Sequence, residues 1–243
     1  MKISLKDWIR YRDKLSRINK KAEEEFVAWI NSMGGYEAIE GNLVVEYAYG
    51  LATKYGEASA SLSALMYDAT AELSKAIVPA AEVAETATYK EVAKAIYGAA
   101  KTSTESEYLG SVVNRLVKQA GADTTLKNAK RDGAQFAWVP AGETCAFCIT
   151  LASNGWQNSS KSALEGNHAS HIHPNCDCTY AVRFDNKTSV AGYNPNVYKR
   201  IYYSAEGSTP SAKINSIRRE LYEENKDEIN AQKRANYAEN KEN

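Results

Sequence analysis

The segments Cys145-Ala-Phe-Cys148 and His173-Pro-Asn-Cys176-Asp-Cys178, joined by a long polar stretch, divide the chain into two chemically different parts. All four cysteines and all three histidines of the 243-residue chain lie between Cys145 and Cys178. Soft and imidazole metal ligands are therefore confined to this window. The residues on either side of it have to be interpreted from their hydrophobic patterns.

The spacing of these residues predicts a Zn²⁺ site. Two cysteine-containing turns that face each other across a loop can assemble four ligands around one Zn²⁺. Cys145 and Cys148 form the first pair, because CxxC brings two thiolates to one metal through a tight turn. Cys176 is the third expected ligand, and either His173 or Cys178 completes the set. Sulfur-rich ligation indicates a closed, structural site that stabilises a polar loop.

Two alternatives to zinc stay open, namely two short-loop disulfides or cysteines with no metal. The N-terminus Met1–Trp8 lacks the apolar core of a signal peptide, so we expect reduced thiols, which favours the metal. His168 and His171 are expected to be exposed loop residues or neighbours of the ligands.

Apolar residues recur at spacings of three and four before this window, which predicts a helical body. Gly34-Gly35 ends the first helix and Pro79 breaks the chain after the second. The second helix is rich in Ala and Ser, which would let another helix approach closely, and Gly50 and Gly56 leave open whether it is continuous. The predicted helices span residues 5–32, 37–76, 88–100, 105–119 and 122–131.

The pattern changes to short strands on each side of the cysteine window. Gln135–Pro140 and Thr179–Phe184 are expected to pair with each other. Ser208-Thr209-Pro210 is a helix-start signal before a charged helix with a narrow apolar stripe, which favours docking on a partner. The predicted organisation is a helical body at 1–131, a zinc-knuckle α+β unit at 132–185, a linker at 186–207, and an amphipathic helix with a flexible tail at 208–243.

The predicted fold class is therefore mainly α with a small α+β C-terminal unit. It comprises an extended helical N-terminal body, a short β-hairpin-like element that carries the Cys/His metal knuckle, and a C-terminal amphipathic helix. The composition also bears on which classes of function to expect. The formal net charge is zero, which gives no electrostatic reason to expect a dedicated nucleic-acid binder. No apolar run approaches the roughly 20 residues that span a bilayer.

Two segments resemble the minor head proteins of tailed phages, the MuF-like or head-morphogenesis group. One runs from Phe136 through Cys145 and Cys148 to Gly155 and is followed by His173-Pro-Asn-Cys176-Asp-Cys178, similar to the HPNCRC motif of that group. The other is Tyr55–Asp68, which matches a recurrent YG…A…YD pattern. Asp177 stands where arginine is commoner in the motif. This departure puts in doubt any role for a basic residue at position 177. It does not affect the predicted zinc ligands.

The resemblance implies a structural virion protein without catalytic activity, present in several copies per particle. It implies that the portal or the major capsid protein is the partner, and that packaged DNA is contacted through local basic patches. The protein would lie inside the capsid at the portal vertex, after assembly in the bacterial cytoplasm, and act in head morphogenesis and in DNA packaging or ejection. A metal-dependent HNH-like nuclease or toxin is the alternative, since such folds also use paired CxxC turns near histidines. A cellular zinc-knuckle adaptor is a third.

Overall fold

The computed structural model describes residues 2–141, 144–159 and 177–242. It divides into two compact units. Unit 1 contains Met1–Gly142 and Trp156–Tyr193, and unit 2 contains Glu143–Gly155 and Asn194–Asn243.

Unit 1 is built on four helices with recognisable start and stop signals. The Ser4 hydroxyl accepts the N–H of Asp7 at the start of the first helix, and Thr88 and Glu91 form a reciprocal capping box at the third. Gly133, with φ of 65°, ends the fourth. The helices are α1 (Leu5–Ser32), α2 (Gly41–Ser74), α3 (Tyr89–Ala100) and α4 (Ser106–Asp132), with a short 3₁₀ turn at Tyr36–Ala38.

These helices confirm the predicted helical body, settle one open point and correct one prediction. The second helix is continuous through Gly50 and Gly56. The two short helices expected at 105–119 and 122–131 form a single helix, α4. Gly121 lies inside α4 rather than at a break, because it is used for helix packing.

Small residues allow α4 to approach both α1 and α2 closely. A Cβ atom built on Gly121 would lie 2.6 Å from Ser59 Oγ and 2.8 Å from Ser63 Oγ of α2. A Cβ atom on Gly110 would lie 2.6 Å from Val27 Cγ2 of α1. The expectation that small residues let a second helix approach α2 is confirmed. The apolar core between the four helices includes Phe26, Ile30, Val44, Val45, Val92, Ile96, Leu109, Val113 and Val117.

The extended chain at residues 76–87, here the connecting segment, lies along the C-terminal half of α4. The Asn128 side chain accepts the N–H of Glu82 at 2.9 Å and donates to its carbonyl at 2.8 Å. The Thr124 hydroxyl accepts the N–H of Ala84 at 2.9 Å. The Arg131 guanidinium donates to the carbonyl oxygens of residues 79 and 80. Backbone groups without a helix or sheet partner are thereby satisfied by α4 side chains.

Two small sets of strands complete unit 1. β2 (Gln135–Val139) lies between β3 (Gln157–Asn158) and β4 (Thr179–Arg183), and pairs antiparallel with both. β1 (Lys2–Ile3) pairs in parallel with β5 (Ser189–Val190). The predicted pairing of the two strands that flank the cysteine window is confirmed, with Ala137 opposite Ala181.

The predicted fold class is nevertheless wrong. The strands are few and short, and they do not form an α+β unit at the C-terminus, because their apolar side chains pack into unit 1. Val139 and Ala181 are buried with Trp8, Tyr11 and Leu15 of α1. Tyr67 of α2 makes an edge-to-face contact with Phe184, with ring centroids 5.2 Å apart. Within the described ranges there is also no group of three or more Cys, His, Asp or Glu side chains that could hold a metal ion, so the metal knuckle is not part of the observed fold.

A network of side chains joins α2, the end of α4 and the connecting segment. The Tyr67 hydroxyl donates to Asp132 Oδ2 at 2.8 Å, and Arg131 Nε donates to Asp132 Oδ1 at 2.8 Å. The Arg131 hydrogen bonds hold the pKa of Asp132 below its usual range. Burial, together with the Asp132 carboxylate, raises the pKa of Tyr67 far above that of a free tyrosine. Asp132 is therefore an ionised, almost fully buried link between three segments.

Unit 2 is entirely helical in its described part. Its helices are α5 (Ala146–Ser153), α6 (Pro195–Ser204) and α7 (Pro210–Glu242). Ala146, Ile149, Ala205 and Ile217 form its buried core. The Lys213 ammonium donates to the carbonyl oxygens of Tyr202, at 3.2 Å, and Ala205, at 2.7 Å, which caps the end of α6. The predicted linker at 186–207 thus contains β5 and α6.

Candidate functional site

The first two predicted zinc ligands lie at the start of α5 in unit 2. Cys145 is the N-cap residue, and its Sγ accepts the N–H of Cys148 at 3.5 Å. Cys145 is exposed and Cys148 is buried. The CxxC turn therefore forms one helical turn, with one thiol facing solvent and the other facing the helix packing.

Cys178, the last predicted ligand, lies in unit 1 immediately before β4. Its side chain is buried, and its Sγ accepts the N–H of Ala141 at 3.4 Å. His173 and Cys176 lie outside the described residues, as do His168 and His171. The structure thus brings Cys145 and Cys148 together, and the choice among the predicted ligands remains a prediction.

A small polar cavity lies beside Cys178 within unit 1. Arg12 and Asn19 of α1, Ser59 of α2 and Lys118 of α4 contribute to its wall. Its volume is about 20 Å³, and the buried Asn19 Oδ1 and Ser59 Oγ have no hydrogen-bond partner there. This volume suffices for a single water molecule, which would satisfy both oxygens. The cavity is too small for an organic substrate.

The largest exposed feature of unit 2 is α7. Its 33 residues correspond to a length of about 50 Å at a rise of 1.5 Å per residue. Its first third contributes Ile214, Ile217 and Leu221 to the core. Every side chain from Tyr222 to Glu228 is exposed, and this stretch carries charges of both signs. These three residues of the predicted apolar stripe anchor the helix to its own unit, and the exposed stretch at 222–228 is available for contact.

Sequence reasoning missed α5 and α6, which form the packing surface for α7. α5 has only eight residues, most of them apolar, so it shows no helical periodicity. α6 had a usable signal. Asn194 is its N-cap and Pro195 its first residue, a pair that favours helix starts.

Comparison with known families gives a match to one. The family model of the VG15 protein matches residues 2–205. The chain belongs to the VG15 protein family. This is a family of phage gene products, so the protein is a phage protein. The match extends from β1 to the residue after α6 and ends before α7. No curated protein and no solved structure matches the chain.

None of the helices in the described ranges combines the length and the apolar character needed to cross a membrane.

Proposed function

We propose that this VG15 family member is a structural minor head protein of a tailed phage, of the MuF-like group, that acts in head morphogenesis at the portal vertex rather than as an enzyme. The observation that carries the proposal is the match to a phage gene-product family over residues 2–205. The resemblance of Phe136–Gly155 and of the His173–Cys178 motif to minor head proteins supports this role.

The distribution of packing supports a function in protein contacts. The interior of unit 1 is filled by closely packed helices, and its connecting segment is fixed by α4 side chains. In unit 2, by contrast, α7 continues past its core contacts with an uninterrupted exposed stretch at residues 222–228. An exposed helical stretch of this kind is suited to lie along another protein chain. We assign to it the contact with the portal or the major capsid protein inside the virion.

Binding of the purified full chain to purified portal and capsid proteins tests this assignment. A variant truncated after Leu221 keeps the core of unit 2 and loses the exposed part of α7. The full chain should bind one of the two partners, and the truncated chain should bind it at least tenfold more weakly while retaining its helical circular dichroism in proportion to its length. A full chain that binds neither partner, or Mg²⁺-dependent nicking of plasmid DNA by it, would contradict the proposal.

We also propose that the protein binds one structural Zn²⁺ with Cys145 and Cys148 as two of its ligands. The support is the ligand spacing together with the N–H of Cys148 directed at Cys145 Sγ, since a sulfur that accepts a hydrogen bond can also bind a metal as a thiolate. Metal content and the Co²⁺ absorption spectrum test it. One metal per chain with a tetrahedral, thiolate-rich spectrum is expected, and a chain purified anaerobically without metal and unable to take up Co²⁺ would refute it.

A further inference from the structure

A groove in unit 1 lies where the connecting segment enters α3. It has a volume of about 690 Å³, which is in the range of ligand-binding sites. Thr86 and Thr88 line it, α3 contributes Glu91 and Lys94, and α4 contributes residues between Arg115 and Asp123. We call it the α3–α4 groove.

Three polar residues of α4 line this groove at intervals of four residues. Arg115, Gln119 and Asp123 therefore share one face of the helix. Arg115 is partly buried, and loss of solvent lowers the pKa of its guanidinium below the usual value. No carboxylate in the described part of the chain lies within ion-pair distance of it. A partly buried guanidinium that has no protein counter-ion is a position at which a ligand can place a carboxylate.

Gln119, one turn further along α4, also has an unused group. Its Nε2 donates to Asp123 Oδ1 at 2.8 Å, whereas its buried Oε1 has no donor. Burial raises the pKa of Asp123, and Glu91 adds to the effect. The groove thus presents a cation that lacks an anion and an acceptor that lacks a donor.

The C-terminal half of α4 gives an example of an amide and a cation that bind one residue of an extended chain. There, the amide of Asn128 bonds to both backbone groups of Glu82, and Lys127 Nζ lies 3.1 Å from the Glu82 carboxylate. Arg131 Nη1 lies 3.8 Å from the same carboxylate. An amide and a cation within one turn of α4 therefore hold one acidic residue of an extended chain, by its backbone and by its side chain.

We propose that the α3–α4 groove binds an extended peptide segment of a partner protein that carries a single Glu or Asp, with Arg115 pairing with that carboxylate and Gln119 Oε1 accepting a backbone N–H. The charges on the wall favour a peptide over a nucleic acid. Glu85, Glu91 and Asp123 line the same groove and would repel a run of phosphates, whereas one carboxylate can be placed at Arg115. The site is independent of the contact assigned to α7 and would add a second binding surface to the proposed assembly role.

An array of short immobilised peptides tests the proposal on the full chain. The peptides have mixed flanking residues and a central Glu, Asp, Gln or Asn. The wild-type chain should bind peptides with a central Glu or Asp about tenfold better than their amide counterparts, as expected for a charge-assisted hydrogen bond. Arg115→Met should lose this preference, and Arg115→Lys should keep part of it.

The unfolding temperature separates recognition from a structural role. Arg115→Met removes an unpaired, partly buried charge and keeps most of the side-chain volume, so it should unfold at the same temperature as the wild type or higher. An acidic preference that is absent from the wild type or unchanged in Arg115→Met would overturn the proposal. So would Arg115-dependent binding of an oligonucleotide without any binding of acidic peptides.

Discussion

Replacing Gly121 with alanine is expected to weaken the contact between α2 and α4. The added Cβ atom would lie 2.6 Å from Ser59 Oγ, 2.8 Å from Ser63 Oγ and 3.3 Å from the Ser59 carbonyl oxygen. Ser59 and Ser63 are each 1% exposed, and the cavity beside Ser59 has room for about one water molecule. Introducing atoms into a packed interior of this kind costs about 1–3 kcal/mol. Alanine also gains about 1 kcal/mol of helix propensity over glycine, which opposes that cost.

Gly50→Ala provides a matched control that isolates the steric contribution. Gly50 is exposed in the interior of α2, and a Cβ atom there would meet nothing within 4 Å. This variant should gain the same propensity, about 1 kcal/mol, without the clash. The free energy of unfolding of Gly121→Ala should therefore be about 1–3 kcal/mol below that of Gly50→Ala. Urea unfolding followed by circular dichroism at constant m-value measures the difference.

A second substitution tests the cause of the loss. Ser59→Ala removes the atom closest to the new Cβ, and that hydroxyl has no hydrogen bond to another protein group to lose. The double variant Ser59→Ala/Gly121→Ala should recover part of the stability. If Gly121→Ala is as stable as Gly50→Ala, α2 and α4 do not approach as closely as described here, and the packing of unit 1 would have to be revised.

Three further predictions concern other parts of the molecule. Asp132→Asn should cost about 1.5–3 kcal/mol, because a buried charge-assisted link is lost. The pKa of Asp132 is lowered in the folded state. Its contribution to the free energy of unfolding is therefore present above its unfolded pKa of about 3.9 and is lost as pH falls through the folded value. In acid titrations below about pH 4, the wild type should lose more stability than Asp132→Asn. Ile217→Ala should destabilise unit 2 by about 2–5 kcal/mol, measured by hydrogen exchange in α5–α7, whereas Ile77→Ala, at a fully exposed side chain, should leave the rates unchanged. Cys145→Ser should keep the cap of α5, because a serine hydroxyl is a good N-cap. Its thermal stability should therefore be at least that of Cys145→Ala. A loss of stability that occurs only in zinc-loaded protein would be caused by the metal.

The helical body was predictable because each of its elements carries local signals. The apolar stripe of α1 and the terminators at Gly34-Gly35 define residues 5–32 in both the sequence and the structure. The Ala- and Ser-rich character of α2 predicts a close helix contact, and Gly121 supplies it. A glycine in a helical pattern is ambiguous, however. The predicted ranges 105–119 and 122–131 leave Gly121 between two helices, whereas in the structure it lies at a packing contact with Ser59 and Ser63, which are far away in sequence.

The surface on which the strands pack and the surroundings of Arg115 depend on long-range packing, which the sequence alone does not reveal. β2 and β4 have the expected pairing, but the covering helix surface comes from α1 and α2, more than a hundred residues earlier in the case of α1. Arg115 looks in the sequence like any surface cation on a helix. Only the structure shows that it is partly buried in a groove without a counter-ion.

The copy number of this chain in purified proheads and virions of the phage that encodes it is the most direct test of its proposed structural role. Quantitative mass spectrometry, with the portal protein as internal reference, gives this number. We expect several copies per particle in both preparations, in a fixed ratio to the portal protein. Absence of the chain from both, with the protein recovered only from the lysate of infected cells, would contradict it.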